Sequence, residues 1–283
     1  MLNAIYLISI ILGVSSQDIF KKPYTNKVGG KGVYWFSGTL SIAALLFFVV
    51  TSKGLQFEMG ILPYALGFAA TYIITMVFSV KAISCGPLSL TALFSSYSLM
   101  LPAFYGLIFL REPIGVGFIP GIILLMISLF LINKKSDNNK ISFKWVIYVF
   151  LVFVGNGMCS VFQKMQQTKY DGAYKSEFMI VSLGMVAIAM LVFALVDERK
   201  DFRTFCKGGW YWAVLCGLMN GIVNLLVMIL SGRMLVSLMF PLVSSGGIIV
   251  TYVVSRFVYK EKLTKIQFVG FLIGIATVVC LNL

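Results

Sequence analysis

Ten hydrophobic stretches, separated by short segments that hold nearly all of the charge, fill this chain. Each has roughly 20 residues, the length that a helix needs to cross a hydrocarbon core about 30 Å thick. Only helices or closed barrels satisfy their backbone polar groups there. The pattern therefore predicts an all-α membrane protein with ten transmembrane helices. The predicted spans are residues 2–18, 32–51, 60–82, 87–110, 114–132, 145–165, 178–196, 210–230, 235–258 and 263–281.

The composition agrees with this pattern. The chain is 59% hydrophobic and 12% charged, and its mean hydropathy of +0.95 lies far outside the range of soluble domains. The first stretch has neither a basic segment before it nor a small-residue cleavage pattern after it. We expect a retained helix there rather than a signal peptide.

The placement of the positive charge predicts an orientation. A net charge of +13 could suggest nucleic acid, but the charges follow the loops. The odd-numbered loops and adjoining helix ends carry 17 of the 23 Lys and Arg, and the even-numbered ones carry 6. By the positive-inside rule, the odd loops are cytoplasmic and both termini lie outside. We expect no nucleic-acid partner.

The residue inventory argues against catalysis and metal binding. The chain has no histidine, and its five cysteines form no C-x-x-C pair. It also lacks a P-loop and a nucleophile-elbow motif. We therefore expect a protein without catalytic residues, metal site or cofactor.

An internal duplication is visible in the sequence. Residues 109–113, Phe-Leu-Arg-Glu-Pro, recur 149 positions later as Val-Tyr-Lys-Glu-Lys at 258–262. Phe-Lys-Lys at 20–22 recurs as Phe-Gln-Lys at 162–164. Chance resemblance between apolar helices does not readily place a matched Glu in both copies.

The duplication predicts two five-helix repeats, residues 1–133 and 144–283, joined by a polar linker at 134–143. An odd number of crossings per repeat inverts the second copy relative to the first. Inverted repeats of this kind place a binding site near the midplane and permit alternating access. The fused halves also permit a functional monomer.

Several short motifs, in this order, resemble the drug/metabolite transporter superfamily, and its ten-helix EamA-type members in particular. The motifs are Lys81-Ala82, Pro87, Ser89, Arg111-Glu112-Pro113, Gly121, Pro241, Ser244-Ser245-Gly246-Gly247, Lys260-Glu261-Lys262-Leu263, Gln267 and Gly270. The resemblance covers the whole chain and implies a secondary transporter or exporter with ten helices around a central cavity. Members are described for amino acids, nucleotide sugars and organic cations, so no single substrate is implied.

A polar stripe marks the sixth predicted span. Asn156, Ser160, Gln163 and Gln167 are spaced to share one helical face. Such a face should contact protein or water rather than lipid. For Asn156, two interpretations remain, namely lining of the cavity and hydrogen bonding between helices.

A second polar face lies in the eighth span, where Asn220 and Asn224 are one turn apart at mid-depth. Amides at that depth should not face lipid. The hydroxyl groups at similar depth can contact a substrate or, for the serines, permit close packing. The substrate-binding candidates are Asn156, Asn220, Asn224, Tyr72, Thr75, Tyr97, Ser96, Ser244 and Ser245.

Prolines and acids supply the remaining candidates. Pro102 and Pro241 are expected to interrupt the fourth and ninth helices and to serve gating. The ten acids map to loops and helix ends. Asp18 is the best candidate for proton coupling, with an interfacial ion pair to Lys22 as the alternative.

We therefore expect a multi-pass transporter or exporter in a bacterial plasma membrane. Its partners would be the lipid bilayer and a small polar metabolite, neutral or zwitterionic and amino-acid-like, moved by alternating access. One alternative is an organic cation held over the rings of Tyr72, Tyr97 and Trp35. A lipid-headgroup flippase is the other.

Overall fold

The computed structural model describes residues 2–52, 54–98, 100–111, 115–132, 142–258 and 265–281. Within them the chain forms eleven α-helices. They are α1 (Leu2–Val28), α2 (Val33–Thr51), α3 (Leu62–Cys85), α4 (Leu88–Tyr97), α5 (Met100–Phe109), α6 (Phe118–Ile132), α7 (Phe143–Lys169), α8 (Lys175–Asp197), α9 (Phe202–Ser231), α10 (Val236–Phe257) and α11 (Lys265–Leu281). Short 3-10 turns precede α3 and α9.

These helices confirm an all-α membrane protein. Among the described residues, seven helical segments are long and apolar enough to cross a bilayer, and they lie in α1, α2, α3, α7, α8, α9 and α10. Shorter apolar segments lie in α5, α6 and α11. Every predicted span overlaps at least one helix among the described residues, and the fourth span, 87–110, contains both α4 and α5. The count of ten crossings stays a prediction.

The end predicted for the first span, at Asp18, is wrong. Helix α1 continues for ten more residues to Val28, through Pro23. Its charged residues looked like a loop in the sequence, but Lys21 Nζ lies 3.1 Å from Oδ1 of Asp18 inside the helix. Because each charge has a partner within the fold, the helix accommodates both.

The fourth predicted span is broken, and the break precedes Pro102. Residue 98 is a turn between α4 and α5, four positions before that proline. Proline has no N–H to donate to the carbonyl of Ser98, and the N–H of Leu101 bonds to that oxygen instead, at 3.0 Å. By contrast, α10 continues through Pro241, so the interruption expected there is not seen.

A second break, absent from the sequence prediction, lies in α9. Gly209 has φ 106° and ψ 82°, which are not helical values, and residues 202–208 form a separate turn of helix before it. The predicted eighth span begins at residue 210, directly after this break. The segment before it was missed because its charged residues resemble a loop.

Helix packing follows the same plan in the two halves. Helix α1 packs against α9 and α3 packs against α7, while α2 pairs with α8 and α6 with α11. Helix α10 contacts α1, and α5 correspondingly contacts α7. The first half of the chain can be exchanged with the second, so that α1, α2, α3, α5 and α6 take the places of α7, α8, α9, α10 and α11. Under this exchange each of these helix pairs corresponds to another pair or to itself. The packing supports the predicted repeat.

Two close contacts, one between α1 and α9 and one between α7 and α3, lie at corresponding positions of the two repeats. A Cβ atom at Gly13 would lie 2.4 Å from the side chain of Val223 in α9. A Cβ atom at Gly155 would lie 2.5 Å from the side chain of Thr75 in α3. Gly155 follows Gly13 by 142 positions, the separation between residues 20–22 and 162–164. The second contact is therefore the expected counterpart of the first.

The start of α2 is capped by a residue that follows α8. Glu198 accepts hydrogen bonds from the backbone N–H groups of Val33 at 3.0 Å and Tyr34 at 2.7 Å. Trp35 Nε1 donates to its carbonyl oxygen at 3.0 Å. The pKa of the Glu198 carboxyl is raised, mainly because the group is buried. The charge of Asp201 raises this pKa further, and the backbone N–H bonds lower it. The cap joins the two halves of the chain.

Candidate functional site

A cavity of about 120 Å³ lies between α1, α3, α7 and α9. One side chain from α4 and two from α10 also line it. A cavity needs at least about 10–15 Å³ to hold one water, so this one has room for several waters or a small solute. Polar side chains from both halves of the chain line it. They are Gln17, Asp18, Lys21, Tyr72, Thr75, Ser79, Ser95, Asn156, Ser160, Gln163, Asn220 and Asn224.

Half of the residues proposed from sequence come together here. Those that line the cavity are Asp18, Tyr72, Thr75, Asn156, Asn220 and Asn224. Asn156, Tyr72 and Asn220 lie near the middle of their helices. The cavity therefore lies near mid-depth, where the inverted-repeat hypothesis expects a site.

Three other candidates lie elsewhere. Tyr97 is buried in a separate cluster around Trp145, and its hydroxyl oxygen lies 3.2 Å from Oγ of Ser128 in α6. Ser244 is buried and does not line the cavity, and neither does Pro102. The sequence pattern predicted the depth of these residues in the membrane, but it could not predict which neighbouring helix each side chain contacts. The side chains of Ser96, Pro241 and Ser245 lie outside the described part of the structure.

Four buried amides form a chain of hydrogen bonds along one wall, which we call the amide ladder. Gln163 Nε2 lies 2.7 Å from Asn224 Oδ1, and Asn224 Nδ2 lies 2.9 Å from Asn220 Oδ1. Asn220 Nδ2 lies 2.9 Å from Gln17 Oε1. The ladder links α7, α9 and α1, so it joins the two halves of the chain. Its donors and acceptors satisfy each other, as buried polar groups require.

Gln17 was missed from the sequence. It lies in α1, one turn before Lys21, in a span that the prediction ended at residue 18. The sequence did contain a signal for this residue, because Gln17 is an amide in a largely apolar stretch and lies four positions before Lys21. With the helix drawn to its full length, both residues would have fallen on one polar face.

The hydroxyl of Tyr72 stands apart from the ladder. Tyr72 is 4% exposed and lines the cavity. Its Oη atom has no hydrogen-bond partner among the described residues. A buried hydroxyl without a partner costs about 1–3 kcal/mol in proteins. The oxygen is closed off from the cavity in this conformation, so a solute would become its partner only after a shift of the side chains around it.

Asn156 joins the cavity wall to the break in the fourth span. Its Nδ2 atom lies 2.6 Å from Ser98 Oγ and 3.3 Å from the carbonyl oxygen of Ser95. Asn156 is half-buried and lines the cavity at the same time. The two interpretations left open by the sequence, packing and cavity lining, thus apply together.

The cavity also contains an ion pair, which the sequence did not predict there. Asp18 and Lys21 both line it, and their side chains are 13% and 7% exposed. The sequence assigned all acids to loops or helix ends and paired Asp18 with Lys22. The first expectation is wrong for Asp18, because α1 extends past it, and the structure pairs Asp18 with Lys21. Within the described residues, no three His, Cys, Asp or Glu side chains group as metal ligands would.

Comparison with known proteins assigns the family. Residues 143–283, the second half of the chain, match the model of the EamA-like transporter family. This chain belongs to the EamA-like transporter family of the drug/metabolite transporter superfamily. Family members are membrane transporters rather than enzymes. The resemblance drawn from the sequence motifs is confirmed.

Two further likenesses agree with this assignment. An uncharacterized protein of Haemophilus influenzae is 23% identical over 189 residues, which are 65% of this chain and 62% of that protein. The chain thus spans less than two thirds of that relative's length. A crystal structure of another protein matches 99% of this chain and 98% of its own, with a TM-score of 0.69 and 12% identity. At that identity the match shows the fold alone.

Proposed function

We propose that this protein moves a small, polar, neutral or zwitterionic solute across a bacterial plasma membrane by alternating access, as a transporter or exporter that functions as a monomer. The observation that carries the proposal is the buried hydroxyl of Tyr72, which has no partner among the described residues and belongs to a residue that lines a polar cavity near mid-depth. The symmetric packing of the two halves supports a rocking motion about this point.

The composition of the cavity favours a solute without net charge. The charges of Asp18 and Lys21 cancel, and the other polar lining groups are amides, hydroxyls and a thiol. The alternative substrate, an organic cation, would need aromatic faces around it. Trp35 and Tyr97 do not line the cavity, because Trp35 bonds to Glu198 and Tyr97 lies beside Ser128. Of that trio Tyr72 alone lines the cavity, where Phe68 and Phe240 add two further aromatic rings. The cancelling charges of Asp18 and Lys21 are therefore what favour a solute without net charge.

Two Tyr to Phe changes test the binding site. Tyr72→Phe removes a buried hydroxyl that makes no hydrogen bond among the described residues, so we expect the melting temperature without solute to stay the same or to rise. Solute affinity should fall about 2- to 10-fold, the effect of one neutral hydrogen bond. Tyr97→Phe is the matched control, because its hydroxyl contacts Ser128 outside the cavity. It should lower the melting temperature and leave affinity unchanged.

The measurement is uptake into proteoliposomes together with thermal shift, over a panel of amino acids, polyamines and quaternary amines. A ligand that binds the native state raises its melting temperature. If Tyr72→Phe lowers the melting temperature and leaves transport of every responsive solute intact, the cavity is not the binding site.

Proton coupling, where it occurs, should depend on Asp18, the acid that lines the described cavity. An acid that carries protons across a membrane must be reachable from both sides in turn. We therefore propose either uncoupled transport or coupling through Asp18. Accumulation driven by a pH gradient should be lost in Asp18→Asn. Equal accumulation in wild type and variant would require another proton carrier.

A further inference from the structure

The Asp18–Lys21 pair is costly where it lies. Both side chains are nearly buried within α1, and Lys21 Nζ lies 3.1 Å from Asp18 Oδ1. Removing two charges from water often costs more than their attraction returns, so such a pair is weak evidence for stability. Ionisable groups inside membrane proteins usually belong to a substrate or ion path. The pair therefore needs a reason beyond holding the helix in place.

The other half of the chain manages without this pair. The positions 142 residues after Asp18 and Lys21 are Ser160 and Gln163, which line the same cavity from α7. Helix α7 packs on α3 in the same way as α1 packs on α9. A neutral hydroxyl and a neutral amide at these positions are therefore compatible with this helix packing, and charged residues are not required for it. The first half of the chain contributes two charges to the cavity, and the second half contributes an amide and a hydroxyl at the corresponding positions.

Both members of the pair keep unused hydrogen-bonding capacity. Among the described residues, Asp18 accepts one hydrogen bond, at Oδ1, and its Oδ2 accepts none. Lys21 donates one of its three ammonium hydrogens, to the same Oδ1. Both side chains line the cavity. A solute beside the pair can donate to the free oxygen and accept from the free ammonium hydrogens without separating the two residues.

We propose that Asp18 and Lys21 form the subsite for the head of a zwitterion, with the solute's ammonium on Asp18 and its carboxylate on Lys21. The inference rests on the proposed transport function and narrows its substrate to the α-amino acid type over neutral polar solutes. The four charges sum to zero, so the occupied cavity carries no net charge. A singly charged solute would leave one charge uncompensated in a site of low polarity.

The test compares three charge forms of the same side chains on the purified full chain in nanodiscs. Alanine, serine, threonine, leucine and glutamine are each supplied as the free amino acid, the cationic amide and the anionic N-acetyl acid. We expect free amino acids to bind about 10- to 100-fold more tightly than either derivative, as loss of a charged hydrogen bond predicts. Thermal shift and competition with a labelled amino acid measure the affinities.

Three variants assign the preference to the pair. Asp18→Asn should remove the preference over the N-acetyl acid, whereas Lys21, which stays charged, should keep disfavouring the cationic amide. The double variant Asp18→Asn with Lys21→Met removes both charges, so all three charge forms should bind it within a few-fold of each other, and it guards against misfolding caused by an unpaired Lys21. Glu177→Gln is the matched control, because Glu177 accepts from the backbone N–H of Gln56 and does not line the cavity. It should keep the wild-type ranking.

The outcomes separate this inference from the transport proposal. If wild type binds N-acetyl acids or amides as tightly as free amino acids, or if the double variant keeps the preference, the zwitterion subsite is wrong. Uptake that is indifferent to these charges but weakened by Tyr72→Phe would still support transport through the cavity. If no amino acid raises the melting temperature of wild type, the inference is wrong, and the proteoliposome panel decides the transport proposal by itself.

Discussion

Asn156 donates a hydrogen bond to Ser98 across 2.6 Å, and this bond fastens the middle of α7 to the break between α4 and α5. We expect Asn156→Ala to lower the free energy of unfolding by about 1 kcal/mol, because Ser98 Oγ loses the bond that it accepts from Asn156 and keeps only the one that it donates to the Ser95 carbonyl. Thermal denaturation in detergent measures the effect. Ser16→Ala is the control, since its exposed hydroxyl bonds only within α1, to Leu12. Equal melting temperatures for the two variants would contradict the prediction.

The cap of α2 by Glu198 predicts a pH dependence of stability. Burial is the main cause that raises the pKa of this carboxyl. Between the ordinary carboxyl range of about pH 4 to 5 and the raised pKa, the folded chain binds more protons than the unfolded chain. Stability therefore falls as the pH rises through this window.

Two variants test that assignment. Glu198→Gln removes the titrating group, so its melting temperature should decline less steeply with pH than that of wild type. Asp201→Asn should give an intermediate slope, because the charge of Asp201 is one cause of the raised pKa. The measurement is the melting temperature at half-unit pH steps. Parallel curves for all three proteins would show that another group titrates.

The break at Gly209 predicts a local cost for any side chain. Its φ of 106° is rarely adopted by other residues, so Gly209→Ala should destabilise the protein by about 1–3 kcal/mol. The control is Gly184→Ala in α8, where an added Cβ meets nothing within 4 Å. That change should stabilise by up to about 1 kcal/mol, since alanine favours helix. A neutral result at Gly209 would mean that α9 can straighten.

The sequence predicted the helices well because hydrophobic length is a local property. It failed at Asp18 because a charge inside a helix is tolerated only through partners such as Lys21, which the chain order does not reveal. It placed Asn220 and Asn224 on one face but could not show that Gln163 and Gln17 complete their hydrogen bonds. For Tyr97, depth along the helix was insufficient, because the neighbouring helix decides whether a hydroxyl faces a cavity or another side chain.

The orientation in the membrane remains a prediction from the 17 to 6 distribution of Lys and Arg. Cys206 is exposed and lies in the seventh, odd-numbered loop of the sequence prediction. With Cys206 as the sole cysteine, an impermeant maleimide should label it only after cells are permeabilised. In a cysteine-free background, Lys169→Cys in the sixth loop should react in intact cells. The reverse pattern would place both termini in the cytoplasm.

The amide ladder makes one wall of the cavity blind to pH. Carboxamides neither gain nor lose a proton in the physiological range, so Gln163, Asn224, Asn220 and Gln17 present the same dipoles in acid and in base. The hydrogen bonds from these groups to a solute would therefore be equally strong whether the cavity is open to the more acidic or to the more basic side of the membrane. Any sensitivity of the cavity to acidity would have to enter through its ionisable lining residues, such as Asp18 and Lys21, which lie beside the Gln17 end of the ladder.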